Sequence, residues 1–128
     1  MNPLKLWLCV LVSLALALGL SCKKKDTPVD ATQPLQQSFQ AAEPEVRQAI
    51  EIANNNLRTG NYQEAGRALA PVVSGRSLTE PQKQAVGLAI KQLNQAIEAD
   101  PALNTKEMYD LRNKMFKAID SGHGPAPK

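Results

Sequence analysis

Residues 45–74 read EVRQAIEIANNNLRTGNYQEAGRALAPVVS, and this stretch decides the fold. Val46, Ala49, Ile50, Ala53 and Leu57 fall at i, i+3, i+4, i+7 and i+11, a spacing that lays one apolar stripe along a helix. Thr59-Gly60 then stops the helix, because glycine accepts the left-handed backbone that lets the chain reverse. Asn61 with Glu64 three residues later has the form of a capping box. Tyr62, Ala65, Leu69 and Val72 make the second stripe. Pro71 lies late in that helix, where it removes a backbone donor and predicts a kink or an early end near Leu69–Val73.

Working outward towards the C-terminus, Ser74-Gly75-Arg76-Ser77 reads as a loop. Thr79 with Gln82 makes a second capping box, and Pro81 sits in the permitted first turn. Val86, Ile90, Leu93 and Ile97 form a stripe that Ala85, Ala89 and Ala96 widen. Asp100-Pro101 ends it. Asn104 with Glu107 suggests a third box, opening a stripe of Met108, Leu111, Met115 and Ile119 with Phe116 beside it. Towards the N-terminus, Leu35, Phe39 and Ala42 predict one or two helical turns before Pro44. The expectation is an all-α fold: a small bundle of about four helices at 45–58, 62–74, 80–98 and 105–120. Short connections predict antiparallel hairpins between successive helices. No strand-like alternation runs longer than a few residues.

The chain of 128 residues allows one domain. Four aromatics follow the leader (Phe39, Tyr62, Tyr109 and Phe116), while Trp7 lies within it, so the core must be aliphatic. The net charge is +3. Lys5 and the run Lys23, Lys24 and Lys25 carry this excess, leaving the body near neutral and without a basic-aromatic patch for nucleic acid.

Lys5 precedes an apolar run, Leu6 to Leu18, which has the length of a signal h-region and falls short of the roughly 20 residues a spanning helix needs. Gly19-Leu20-Ser21-Cys22 follows. These residues resemble the lipobox of bacterial lipoproteins, with Gly19 where that family prefers Leu, Val or Ile. The resemblance implies cleavage after Ser21 and a lipid on Cys22. An ordinary cleaved signal and an uncleaved anchor are the alternatives. Cys9 lies in the leader, so Cys22 would be the only cysteine of the mature chain, and lipidation accounts for it. Lys23, Lys24 and Lys25 then sit at the membrane surface, where each adds about 1 kcal/mol of attraction to anionic lipid; a merely solvated charge run is the other reading. Lys23 directly after the cysteine resembles lipoproteins sorted to an outer membrane in some two-membrane bacteria.

The domain plan is therefore a signal peptide over 1–21, a flexible lipid-anchored tether over 22–34, a helical domain over 35–121 and a disordered tail over 122–128. Asp26–Pro34 holds two prolines and no apolar period, which predicts disorder.

Leu57-Arg58-Thr59-Gly60-Asn61-Tyr62-Gln63-Glu64-Ala65 resembles the turn of a tetratricopeptide repeat, over roughly residues 46–73. That family writes Leu, then Gly-Asp-Tyr-x-Glu-Ala. Ala53 stands where the family has a small residue, and Ala96-Ile97-Glu98-Ala99-Asp100-Pro101 resembles its closing segment. Ser77 replaces the helix-ending proline of the family, and the second hairpin lacks the Gly-x-Tyr turn. One repeat cannot bury its own faces, so the resemblance implies a tetratricopeptide-like hairpin within a small bundle, binding protein or peptide on a helical face.

Catalytic constellations do not emerge. His123 is the single histidine and lies in the Gly/Pro tail, so neither a metal site nor a Ser-His-Asp triad assembles around it. There is no phosphate-binding glycine loop. Glu43, Glu45 and Glu51 do not oppose one another, and Glu64 and Glu107 are assigned to caps. The expectation is no enzyme, no cofactor and no metal. Asn54-Asn55-Asn56 is the one unusual polar cluster, and Asn54, Asn55 and Arg58 are the candidate partner-binding residues.

The sequence thus predicts an exported lipoprotein anchored through Cys22 to a bacterial membrane: the outer membrane, the periplasmic face or the cell surface. It would act as a non-catalytic interaction module for an envelope protein or peptide, with no nucleic acid. The alternatives are a structural envelope protein that self-associates through Phe116 and Met115, and a small inhibitor of an envelope enzyme.

Overall fold

The computed structural model describes residues 27–121. Within them the chain forms five α-helices: α1 (Thr32–Ser38), α2 (Pro44–Thr59), α3 (Tyr62–Ser74), α4 (Glu80–Ala99) and α5 (Lys106–Asp120). A 3-10 turn, Pro101–Leu103, links α4 to α5. The leader, Cys22, Lys23, Lys24, Lys25, His123 and the tail lie outside the described residues.

The fold is all-helical, and the four helices expected from apolar spacing stand within one or two residues of their predicted bounds. The correction is a fifth helix. Residues Thr27–Pro34, expected to belong to a flexible tether, are docked on α4, and α1 begins at Thr32 rather than Leu35. Two causes act together. Ala31, Leu35 and Phe39 are buried to 1% exposure or less, each larger side chain contributing about 1.5–3 kcal/mol. The backbone polar groups of this segment also find side-chain partners. Gln92 Oε1 accepts from the Ala31 N–H at 2.9 Å, and Gln95 Oε1 accepts from the Val29 N–H at 2.8 Å. Gln95 in turn donates to the Thr27 carbonyl. At the other end of α1, Gln82 donates to the Ser38 carbonyl at 3.1 Å.

The Gly60 reversal forms as the sequence predicts. Gly60 has φ 79°, and the amides of Gly60 and Asn61 both turn back to the Asn56 carbonyl. Thr79 and Gln82 make the reciprocal capping box at the start of α4. The other two boxes do not form. Asn61 donates to Thr59 Oγ1 instead of capping α3, and Glu64 pairs with Arg67. At α5 the cap is Thr105, whose hydroxyl accepts from the Met108 N–H, and this frees Glu107 for Arg67. Pro71 does not end α3, which runs on to Ser74 with the proline on its exposed side.

The helices close a ring: α1 lies on α2, α2 on α3, α3 on α5, α5 on α4, and α4 on α1. Successive helices therefore do not all pair as hairpins; α3 meets α5 more extensively than α4. The contact uses Gly66, where a Cβ would come 3.1 Å from Leu111 Cδ1, so only a glycine admits α5 this closely without displacement. The core is aliphatic, with Leu35, Leu69, Leu93, Met108 and Met115 fully buried around Phe39. No helix among the described residues is long and apolar enough to cross a membrane.

Candidate functional site

The seating of α1 on α2 leaves a groove beside the joint. It has a volume of about 340 Å³ and is lined from α1 by Gln36 and from the turn after it by Phe39 and Gln40. From α2 it is lined by Arg47, Ile50, Glu51, Asn54, Asn55 and Arg58. The α2 residues follow from helical periodicity: 47, 51, 54 and 58 stand one above another along a single edge. Ile50 and Phe39 belong to the core and give the floor little open apolar surface.

All three residues expected to bind a partner, Asn54, Asn55 and Arg58, meet in this groove. Asn54 is not the exposed amide the sequence suggests. It is 3% exposed and donates from Nδ2 to the Thr32 carbonyl at 2.9 Å. Its Oδ1 is the one buried side-chain atom without a hydrogen-bond partner among the described residues. Buried polar atoms are nearly always satisfied, so an orphan acceptor beside an open groove marks a position where a donor would be welcome.

The arginines sort in the same way. Arg67 is held by Glu64 and Glu107. Arg76 donates to the Val72 carbonyl, and Arg112 to the Met108 carbonyl and Asn94. Arg47 and Arg58 have no hydrogen-bond or ion-pair partner among the described residues, and both line the groove. Nor does Glu51, between them, have one. The Arg58 charge is felt by Asp30, whose carboxyl is held below the usual range first by the Thr32 hydroxyl and amide and then by Arg58. Two bonds from Thr32, at 2.6 and 3.0 Å, already occupy it.

The largest electrostatic cluster lies elsewhere and is structural. Arg67 bridges α3 to Glu107 of α5, with Gln63 donating to the same carboxylate. This pushes the Arg67 guanidinium further up and holds Glu107 down, chiefly through the hydrogen bond between them. Such exposed pairs are screened by solvent and add little to stability. Among the described residues no three His, Cys, Asp or Glu side chains cluster as metal ligands. The groove offers carboxamides, two guanidinium groups and one carboxylate.

The sequence reading missed Gln36, Gln40, Arg47 and, as a binding group, Glu51. Arg47 could have been found, because it stands eleven residues before Arg58 and so on the same helix edge. The α1 residues could not, since nothing local says where a short preceding helix docks. Comparison with protein families, curated proteins and solved structures finds no match.

Proposed function

We propose that this protein is a lipid-anchored, non-catalytic interaction module of a bacterial envelope, which holds a partner protein through the groove between α1 and α2. The observation that carries the binding reading is the coincidence, in one groove, of the unpartnered Asn54 acceptor with both unengaged arginines. The likeness of the α2–α3 turn to a tetratricopeptide hairpin supports protein binding. The leader and Cys22 supply the proposed location, with Lys23, Lys24 and Lys25 at the lipid surface.

In-cell crosslinking followed by capture from detergent-solubilised envelopes tests both halves. A partner recovered with the wild type, lost with Cys22→Ala and weakened with Asn55→Ala/Arg58→Ala, is the expected result. Recovery unchanged by the groove variant refutes the site; recovery unchanged by Cys22→Ala refutes the anchor.

A second reading, self-association, has one specific observation behind it. Tyr109 and Phe116 stand seven residues apart on α5 and are each 59% exposed. Met115 is fully buried and takes no part. A strict monomer in sedimentation at high concentration removes this reading.

A further inference from the structure

We infer that the occupant of the α1–α2 groove is an α-helix of another protein carrying acidic, basic and acidic side chains at i, i+4 and i+11, or at i, i+7 and i+11 when it runs antiparallel to α2. This rests on the protein-binding reading above and gives its partner a shape and a charge order.

Along one edge of α2 stand Arg47, Glu51 and Arg58, at i, i+4 and i+11, with Asn54 between the last two. At about 1.5 Å of rise per residue, the two arginine Cα atoms are about 16 Å apart. A partner helix has the same rise and period as α2. Its residues at i, i+4 and i+11 fall within about 40° of one another, so all three can face α2 in register. An extended chain fits worse. At about 3.3 Å per residue it spans that distance in five residues, an odd number, which turns its two acids to opposite faces.

The central basic residue has a second task. Asn54 lies one turn beyond Glu51, and a lysine ammonium carries three donors. One can pair with the Glu51 carboxylate while another reaches Asn54 Oδ1, the buried acceptor the fold leaves empty, once the side chains that cover it give way. Gln36 and Gln40 on the opposite wall offer amides to the helix's remaining polar side chains.

A second copy of this chain does not fit. No two acidic residues in the whole sequence lie eleven positions apart, so none of its own helices carries the complementary pattern. The floor residues Phe39 and Ile50 are already buried, so charge rather than apolar area supplies the selectivity, and binding must weaken with salt.

The test uses alanine-rich helical peptides of eighteen residues and the full chain in neutral detergent, read by fluorescence anisotropy. The matched peptide has glutamates at its fourth and fifteenth positions and a lysine at its eleventh for the antiparallel register, or at its eighth for the parallel one. A second has these charges inverted. A third has the matched charges on a proline-interrupted, non-helical backbone. The expected result is that the matched helix binds at least about fivefold more tightly than either control, the scale of a single exposed ion pair. Arg47→Glu/Glu51→Lys/Arg58→Glu should reverse the preference towards the inverted helix, with far-UV circular dichroism unchanged. Equal binding of matched and inverted helices overturns the charge order but leaves a peptide site standing. Tighter binding of the non-helical peptide overturns the helical shape. If none binds at millimolar concentration the helical occupant is refuted, and partner capture in cells decides the wider reading separately.

Discussion

Removing the Gln92 carboxamide should cost more stability than removing that of Gln95, although Gln95 makes more bonds to the N-terminal segment. Ala31 is wholly buried, and its N–H has Gln92 Oε1 as its partner at 2.9 Å. Gln92→Ala leaves that donor unpaired in the interior, a loss of about 1–3 kcal/mol. Gln95 serves Val29, which is half-buried, and Thr27, which is exposed, so water can replace it. Gln95→Ala should therefore cost less than about 1 kcal/mol. For a domain of this size, a loss of 2 kcal/mol lowers Tm by roughly 8–16 °C. Gln92→Glu keeps an acceptor at the same place and should recover most of the difference. The assay is thermal and urea unfolding followed at 222 nm, with amide exchange at Val29 and Ala31 as a local readout. Unfolding of Gln92→Ala within about 0.5 kcal/mol of the wild type, or greater damage from Gln95→Ala, would mean that the Ala31 N–H does not depend on Gln92.

Other predictions bear on the turn, the ion cluster and the groove. Gly60→Ala should cost about 1–2 kcal/mol in urea unfolding, because φ 79° strains any residue with a Cβ, while the nearest atom, Tyr62 Cε2 at 4.0 Å, leaves room for the methyl. A neutral result would mean the reversal tolerates another backbone. Glu107 and Asp30 both have carboxyls held below their usual values, by Arg67 and by Thr32 respectively. Each therefore stabilises the fold above its unfolded pKa, near 4, and loses that contribution as pH falls through its lower folded value. Wild type and Glu107→Gln should differ most at neutral pH and converge as pH falls through the lowered folded value of Glu107, as urea midpoints measured from neutral to acid pH would show. Asn54→Ala should change stability by less than about 1 kcal/mol despite its burial, because the orphan acceptor leaves together with the donor. Ile50→Ala, one turn earlier, should cost about 2–5 kcal/mol in the same measurement.

Most of the helical framework was legible because it rests on local rules. Apolar stripes, the Gly60 reversal and the Thr79–Gln82 box each need only a few neighbouring residues, and each stands in the fold. The failures share a cause: they depend on partners far along the chain. Glu64 and Glu107 look like caps locally, but Arg67 from the middle of α3 offers both a stronger, charged partner. Thr27–Pro34 looks unstructured because its composition cannot fold by itself; what orders it is a pair of glutamines more than sixty residues away. The same reason explains the half-read site. Asn54, Asn55 and Arg58 share a helix edge that periodicity exposes, whereas the opposite wall exists only once α1 is docked. The burial of Asn54 follows from that docking too, since Thr32 supplies its acceptor.

The docking of α1 ties the integrity of the groove to the attachment of the N-terminal segment. The first described residues reach the body of the fold through Gln95 and Gln92, and the helix they lead into contributes one wall of the groove. Traction on the chain ahead of Thr27 is borne first by these side-chain bonds, which peel one at a time, and only afterwards by the Leu35 and Phe39 contacts. Only the loss of those contacts would draw Gln36 and Gln40 away from Arg47 and Arg58. Undocking α1 would therefore leave the groove with its α2 wall alone.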